Sequence, residues 1–347
     1  MNPSLVVGGG MAGIAAALSL SARGRQVILI EKRSRLGGRA SSFLDRRSGE
    51  VIDNCQHVLL GCCTTVQSLL EDLKQEGQIA WSQGYDFLLP DGGGAHRLQP
   101  SSWLPAPLHY LPSLLRFGAL SPADRLRLIR VFLIMMWAGE RSLRRATRAP
   151  IEAWLDRRGV GDELKRRFFE PILVGAVNET LDRAAAWPSF QVFLQGFLPH
   201  RRAAALGVAR VPLDELFARP AREKLEAQGH EVRTSTRVTD LETKDGRCIA
   251  VRLASGERLP CGEVVMAVPP STLASIAVDD GEAIAEVPSD WDFSPITGIH
   301  LWMDRQVVDR PHAALLESPI HWVFPKTVAP EARKRLGAVQ RLQVVIS

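Results

Sequence analysis

The sequence predicts an α/β protein: a Rossmann-like dinucleotide-binding domain joined to a discontinuous, mixed α+β second domain. Three observations predict it. A Gly-x-Gly-x-x-Gly frame follows an apolar strand at the start of the chain. A second apolar strand ends on an acid about twenty residues later. Apolar spacing then changes from helical to alternating near residue 231. At 347 residues the chain is long enough for two cores.

Leu5-Val6-Val7 is the first strand. Gly8, Gly10 and Gly13 frame the turn behind it, with Met11 and Ala12 between the last two. The first glycine permits the tight strand-to-helix turn, the second lets a pyrophosphate approach the backbone, and the third lets the helix pack closely on its strand. N–H groups at the start of that helix, expected over residues 14–22, would hold the phosphates. A turn at Arg23-Gly24-Arg25 leads into Val27-Ile28-Leu29-Ile30, which ends at Glu31 and Lys32. An acid here suits a ribose 2′-hydroxyl and repels a 2′-phosphate. Leu36-Gly37-Gly38-Arg39 adds a second close backbone approach with a cation beside it.

Next, a helix is expected over residues 60–73 and a strand–turn–strand around Asp86 to Gly94, with the glycines from Gly92 supplying the turn. Residues 103–148 have a helical pattern whose start is broken by Pro105, Pro107 and Pro112. Leu126, Ile129, Phe132, Leu133 and Met136 recur there at helical spacing, with Arg125, Arg127 and Arg130 between them. This stripe fits a core-facing amphipathic helix first, and as the alternative an interfacial helix whose arginines meet phospholipid headgroups. Residues 150–220 are mostly helical in pattern. From Glu231 to Met266 apolar residues alternate, with turns at Lys244-Asp245-Gly246 and Ala254-Ser255-Gly256. Val264-Val265-Met266-Ala267-Val268 then reads as a buried parallel strand closed by Pro269 and Pro270.

Five cysteines in no Cys-x-x-Cys spacing argue against a disulfide framework and a zinc site, so no metal and a reducing compartment are expected. The chain enters a strand by residue 5, which leaves no room for a cleavable leader, and no apolar run reaches the ~18–20 residues of a spanning helix. Between Arg116 and Arg210 there are 17 Lys/Arg against nine Asp/Glu. No nucleic-acid motif accompanies them, which leaves a solvated face or an anionic membrane surface. The expected location is the cytoplasm, with peripheral contact to the inner face of the membrane left open.

The string from Gly8 to Arg39 resembles the FAD-binding signature of the superfamily of phytoene desaturases, protoporphyrinogen oxidase and flavin amine oxidases. The resemblance implies FAD as cofactor and an FAD/NAD(P)-binding Rossmann-like domain made of residues 1–75 and 225–272. Residues 76–224 and 273–347 would form the mixed α+β substrate domain. It further implies the Val238 backbone beside the adenine and Ala267 closing on the cofactor. Asp53-Asn54-Cys55-Gln56-His57 is, on its own, as consistent with a polar loop capping a helix. Together with Val58-Leu59-Leu60-Gly61-Cys62, Ile151-Glu152-Ala153-Trp154-Leu155 and the run from Ser294 to Trp302, it resembles the hydroxysqualene dehydroxylase family.

That narrower resemblance implies Gln56 and His57 at the flavin, His57 or Asp53 as the proton donor, and a lipophilic isoprenoid substrate, hydroxysqualene reduced to squalene. The helical regions 103–148 and 165–200 would wall an apolar tunnel. Carotenoid-type desaturation, amine oxidation and non-catalytic flavin or isoprenoid binding are the alternatives. Two departures stand out: the family usually has glycine where this chain has Cys55, and it continues beyond Ser347 with a segment that closes on the flavin. A fragment of a longer reading frame is therefore expected.

Overall fold

Residues that alternate along the first strands settle on opposite faces of one sheet. The computed structural model describes residues 2–347 except 91–92, 146–148, 280, 282, 287, 289–290 and 292. Four parallel strands lie in the order Glu231–Arg233, Val27–Ile30, Ser4–Val7, Glu263–Met266. Val6 and Leu29 face the helices Met11–Ala22 and Arg219–Ala227. Leu5, Val7 and Ile30 face an antiparallel layer of Val238–Lys244, Arg247–Leu253 and Arg258–Pro260. Burial on both faces is why these strands read as continuous apolar runs. The tight turn at Asp245 and Gly246, both at positive φ, joins the first two antiparallel strands.

The second body is a six-stranded sheet ordered Thr297–Met303, Gln340–Ile346, Trp322–Lys326, Ala313–Leu315, Tyr85–Leu88, Ala95–Leu98. Its inner face meets the helical insert through one aromatic core that includes Phe87, Phe117, Phe132, Phe168, Phe193 and Trp322. Phe87 meets Phe117 edge-on at 5.2 Å and Phe132 meets Phe193 at 5.3 Å, the geometry that aromatic quadrupoles favour. Lys165–Phe169 is wound as a wide π-type turn, which lets the consecutive Phe168 and Phe169 both turn inward. In the Tyr85-to-Leu98 hairpin, Gly93 and Gly94 lie in the turn as expected, whereas Asp91 and Gly92 fall outside the described residues.

Three expectations need correction. The helix expected over 60–73 is Thr64–Asp72, and Val58–Leu60 is instead a strand paired with Leu206–Ala209. Gly61 N–H and Cys62 N–H donate to the Ala205 and Ala203 carbonyls, and a turn closed by Cys63 N–H on the Leu60 carbonyl delays the helix to Thr64. Residues 103–107 are not helical. The helices there are Leu111–Leu115, Pro122–Trp137 and Gly139–Arg145, the second started by Pro122 and by Ser121, whose hydroxyl accepts the Asp124 N–H. The buried stripe of that second helix is Leu128, Val131, Phe132 and Met135, while Leu126 is 64 % and Leu133 45 % exposed. Of the expected stripe only Phe132 is buried; the buried face is turned so that Leu128, Val131 and Met135 join it.

Candidate functional site

At the carboxyl edge of the parallel sheet the two glycine segments meet backbone to backbone. Gly8 has φ +109°, and a Cβ there would stand 2.4 Å from the Ala267 carbonyl oxygen. Gly37 N–H donates to the Gly9 carbonyl at 2.7 Å, and a Cβ on Gly38 would reach within 3.0 Å of Gly10 Cα. Gly13 packs its Cα against the Gly8 carbonyl. The helix Met11–Ala22 begins behind Gly10 with no side-chain cap and no acid in its first turn, so the N–H groups of Met11, Ala12 and Gly13 present an anion site.

Glu31 is buried against this turn. One carboxylate oxygen accepts the Gly9 N–H at 2.7 Å and the other the Arg33 N–H at 2.8 Å. Each oxygen keeps a further lone pair for a sugar hydroxyl. Thr236 N–H donates to the Glu31 carbonyl, which sets Arg237 and Val238 beside it; the Val238 side chain is buried between the sheets. Ala267 N–H donates to the Val7 carbonyl at 2.8 Å. Lys32 and Arg39 are exposed at the rim. The uncapped helix start, the glycine cradle and the buried acceptor fit the adenosine-diphosphate half of FAD.

Ser41, three residues past Gly38, accepts the Asn54 N–H at 2.8 Å and so brings the 53–57 loop next to the cradle. Asp53 is buried. Its Oδ1 accepts the Ser42 hydroxyl at 2.8 Å and the Leu213 N–H at 2.9 Å, and its carbonyl faces His300 Nε2 at 3.0 Å. The side chain therefore ties three segments as an acceptor. His57 Nδ1 lies 3.0 Å from the Cys55 carbonyl and must donate to it, which leaves Nε2 free of that bond. Gln56 Nε2 donates to the His57 carbonyl at 2.6 Å, while its Oε1 is buried without a partner among the described residues. An orphaned acceptor is costly unless something else meets it, and a cofactor N–H suits it. Cys55 packs on the aromatic core opposite Gly298, and burial pushes its thiol up.

Sequence reasoning missed a charged cluster at the junction of the two bodies. Glu50 is buried and accepts Trp302 Nε1 at 2.6 Å and the Ala329 N–H at 2.5 Å, with Arg341 at 3.5 Å. Across from Arg341, Lys326 ends its strand with Nζ 3.4 Å from the Ala209 carbonyl. Burial pushes this lysine down to about 8, against the pull of Asp53 and aided by Arg341. The available signal was a lysine closing the apolar run Trp322-Val323-Phe324-Pro325.

On the other side of the aromatic core a small cleft of about 60 Å³ opens between the helical elements, lined by Leu114, Ile129, Phe132, Met136, Phe168 and Phe197 among others, with no charged residue. Tyr110 contributes a phenol that is buried without a partner among the described residues and pushed up by that burial. Cys55 and Leu60 border the same core as the cleft walls. Among the described residues no cluster of metal-ligating side chains occurs, and no helix is long and apolar enough to cross a membrane.

The family model of flavin containing amine oxidoreductases matches residues 11–332. The chain belongs to that family. FAD is accordingly its cofactor. It is 22 % identical over 312 residues to the 15-cis-phytoene desaturase of Solanum lycopersicum, covering 87 % of this chain and 53 % of that one. It is 23 % identical over 329 residues to the hydroxysqualene dehydroxylase of Sinorhizobium fredii, covering 92 % of this chain and 72 % of the other. A solved putrescine oxidase bound to putrescine superposes with a TM-score of 0.69 at 16 % identity over 100 % of this chain and 75 % of that one, which shows a shared fold. The chain spans just over half the length of the plant desaturases it matches.

Proposed function

We propose that the chain acts on a long isoprenoid, reductively removing the hydroxyl of hydroxysqualene to give squalene. The observation that carries this reading is the cleft: apolar side chains, one phenol and no charge form its walls. A polyamine would leave its ammonium groups desolvated and unpaired there, whereas an isoprenoid loses nothing by entering. The glycine cradle and Glu31 grip the nucleotide, and the aromatic core keeps water from the junction. Bound FAD supplies hydride transfer. The resemblance of the Asp53-to-Cys62 run to the dehydroxylase family supports dehydroxylation as the direction.

Carotenoid-type desaturation is the second reading, supported by the phytoene desaturases among the relatives. The chain loaded with FAD is to be incubated with hydroxysqualene (flavin reduced), phytoene (flavin oxidised) and putrescine, and the products separated. Squalene from the first is expected. Desaturated phytoene alone would move the assignment to the second reading, and amine oxidation alone would defeat both.

The same proposal places the chain on the cytoplasmic face of a membrane. Trp103 is 74 % exposed, Trp137 85 %, and Leu108 and Leu133 at the cleft are about half exposed, beside the exposed Arg127 and Arg130. Co-sedimentation with anionic vesicles, lost in Trp103→Ser/Trp137→Ser, tests it; equal sedimentation of both forms would refute it.

A further inference from the structure

We propose that Cys248 and Cys261 are a peroxide-sensitive modification site, closing to a disulfide that staples the antiparallel layer of the nucleotide-binding body. Their sulfurs stand 3.8 Å apart, in van der Waals contact. Cys261 N–H donates to the Ile249 carbonyl at 2.9 Å, so the two cysteines lie on neighbouring strands, one position out of direct register. Strand spacing and rise put their Cα atoms about 6 Å apart, inside the roughly 4.4–6.8 Å that a disulfide spans. A rotation of the Cys248 side chain is enough to bring the sulfurs from contact to a bond of about 2.0 Å.

Regular alternation would keep these two side chains on opposite faces of the layer. A bulge prevents it. Glu242 and Thr243 pair with Ala250 and Cys248, which leaves Ile249 as an extra residue on the strand Arg247–Leu253. A bulge re-aims the side chain beside it. Cys248 therefore packs on the face that holds Val251, Leu253, Leu259 and Cys261, against Leu5 and Val7 of the parallel sheet. The remaining thiols are placed differently. Cys55 packs on the aromatic core. Cys62 and Cys63 are consecutive, and a Cα separation of about 3.8 Å is too short for an unstrained bridge.

Exposure divides the work between the two thiols. Cys248 is partly exposed, whereas Cys261 is 3 % exposed and burial beside Cys248 pushes its thiol up to about 12. Cys248 is the sulfur that hydrogen peroxide meets. It takes one oxygen as the O–O bond breaks, giving a sulfenic acid and a water. The Cys261 sulfur then attacks it: the S–S bond forms, the S–O bond breaks, and the oxygen leaves as a second water carrying the Cys261 proton. Two thiols are oxidised by two electrons and one peroxide is reduced. The bridge lies at the amino edge of the parallel sheet, where Gly262 N–H donates to the Pro3 carbonyl and Glu263 pairs with Ser4. The nucleotide cradle is a strand's length away at the carboxyl edge, so the bridge acts on the freedom of the unfolded chain and leaves FAD in place.

The FAD-loaded chain is to be treated with hydrogen peroxide, its free thiols alkylated, and its peptides mapped by mass spectrometry without reductant. A peptide pair linked through Cys248 and Cys261 is expected, lighter than its halves by two hydrogens and lost on adding dithiothreitol. Tm should rise by roughly 3–6 °C on oxidation, with the absorbance of bound flavin unchanged. Cys248→Ala, altered only at the accessible sulfur, should gain neither the link nor the rise. Cysteines 248 and 261 that both remain open to alkylation, or a Cys248 carried on to sulfinic acid without a link, would overturn the pairing. A link with no rise in Tm, or an equal rise in Cys248→Ala, would overturn the staple. The mapping uses the unsubstituted chain, so it decides the pairing even where Cys248→Ala does not fold, and no readout depends on which substrate the chain takes.

Discussion

Gly13→Ala tests the nucleotide cradle most directly. The added Cβ would stand 1.7 Å from the Gly8 carbonyl oxygen and 2.9 Å from its carbon. The first distance is roughly 1.5 Å short of ordinary non-bonded contact. Both obstructing atoms are backbone, so no rotamer change relieves the clash, and the helix Met11–Ala22 must slide off the first strand. Ile14 and Ala17, both fully buried beneath it, move with it. Overpacking of this kind costs about 1–3 kcal/mol, which in a chain of 347 residues lowers Tm by about 1–2 °C per kcal/mol.

The same slide lifts the Met11-to-Gly13 amides from the phosphates. Losing one charge-assisted hydrogen bond is worth about 1.5–3 kcal/mol, so FAD affinity should fall about ten- to a hundredfold. Gly24→Ala is the control. Gly24 has φ +73° but nothing within 4 Å of a Cβ, so it should cost about 1–2 kcal/mol of backbone strain and leave FAD binding alone. Thermal melts with flavin-fluorescence titration read both quantities. A Gly13→Ala chain that binds FAD as tightly as the unsubstituted one would show that the cofactor does not use this turn.

Glu31→Gln keeps one acceptor where two N–H groups need one each; an isothermal titration should show FAD affinity down about tenfold, and unchanged affinity would remove Glu31 from the ribose site. Glu50→Ala leaves Arg341 without its counter-charge and should cost about 3–5 kcal/mol in urea unfolding, against under 1 kcal/mol for a surface acid; equal costs would refute the buried-cluster account. Burial lowers Lys326 from 10.5 to about 8, so between those values the unfolded chain binds a proton that the folded chain does not, and stability rises with pH across the window. Lys326→Met should therefore be more stable than the unsubstituted chain at pH 7, by up to about 3 kcal/mol. The gap should close toward pH 10.5, and a pH-independent gap would contradict the shift.

The cradle was legible because its constraints are local. A strand, three glycines and an acid act through backbone geometry within a few residues of one another, and Gly8, Gly13 and Glu31 meet where their spacing said they would. The strand Val58–Leu60 was not legible because its partner, Leu206–Ala209, lies far along the chain. Its leucines look the same in a helix until that partner supplies the hydrogen bonds. The face of Pro122–Trp137 was hidden for a different reason: apolar residues cover more than one stripe of its second half, so periodicity alone cannot choose between Leu128, Val131 and Met135, which are buried, and Ile129, Leu133 and Met136, which open on the cleft.

Asp53 shows the remaining gap most clearly. In sequence it heads a polar loop and invites a catalytic role; in the fold it accepts an amide from Leu213, 160 residues on. Glu50 accepts one from Ala329, 279 residues on. Charges at the seam between two bodies must each be satisfied by the other body, and no window of sequence contains both halves of such a bond. Lys326 joins the same seam through the Ala209 carbonyl, 117 residues away, so its place there is set by a contact that no local pattern announces.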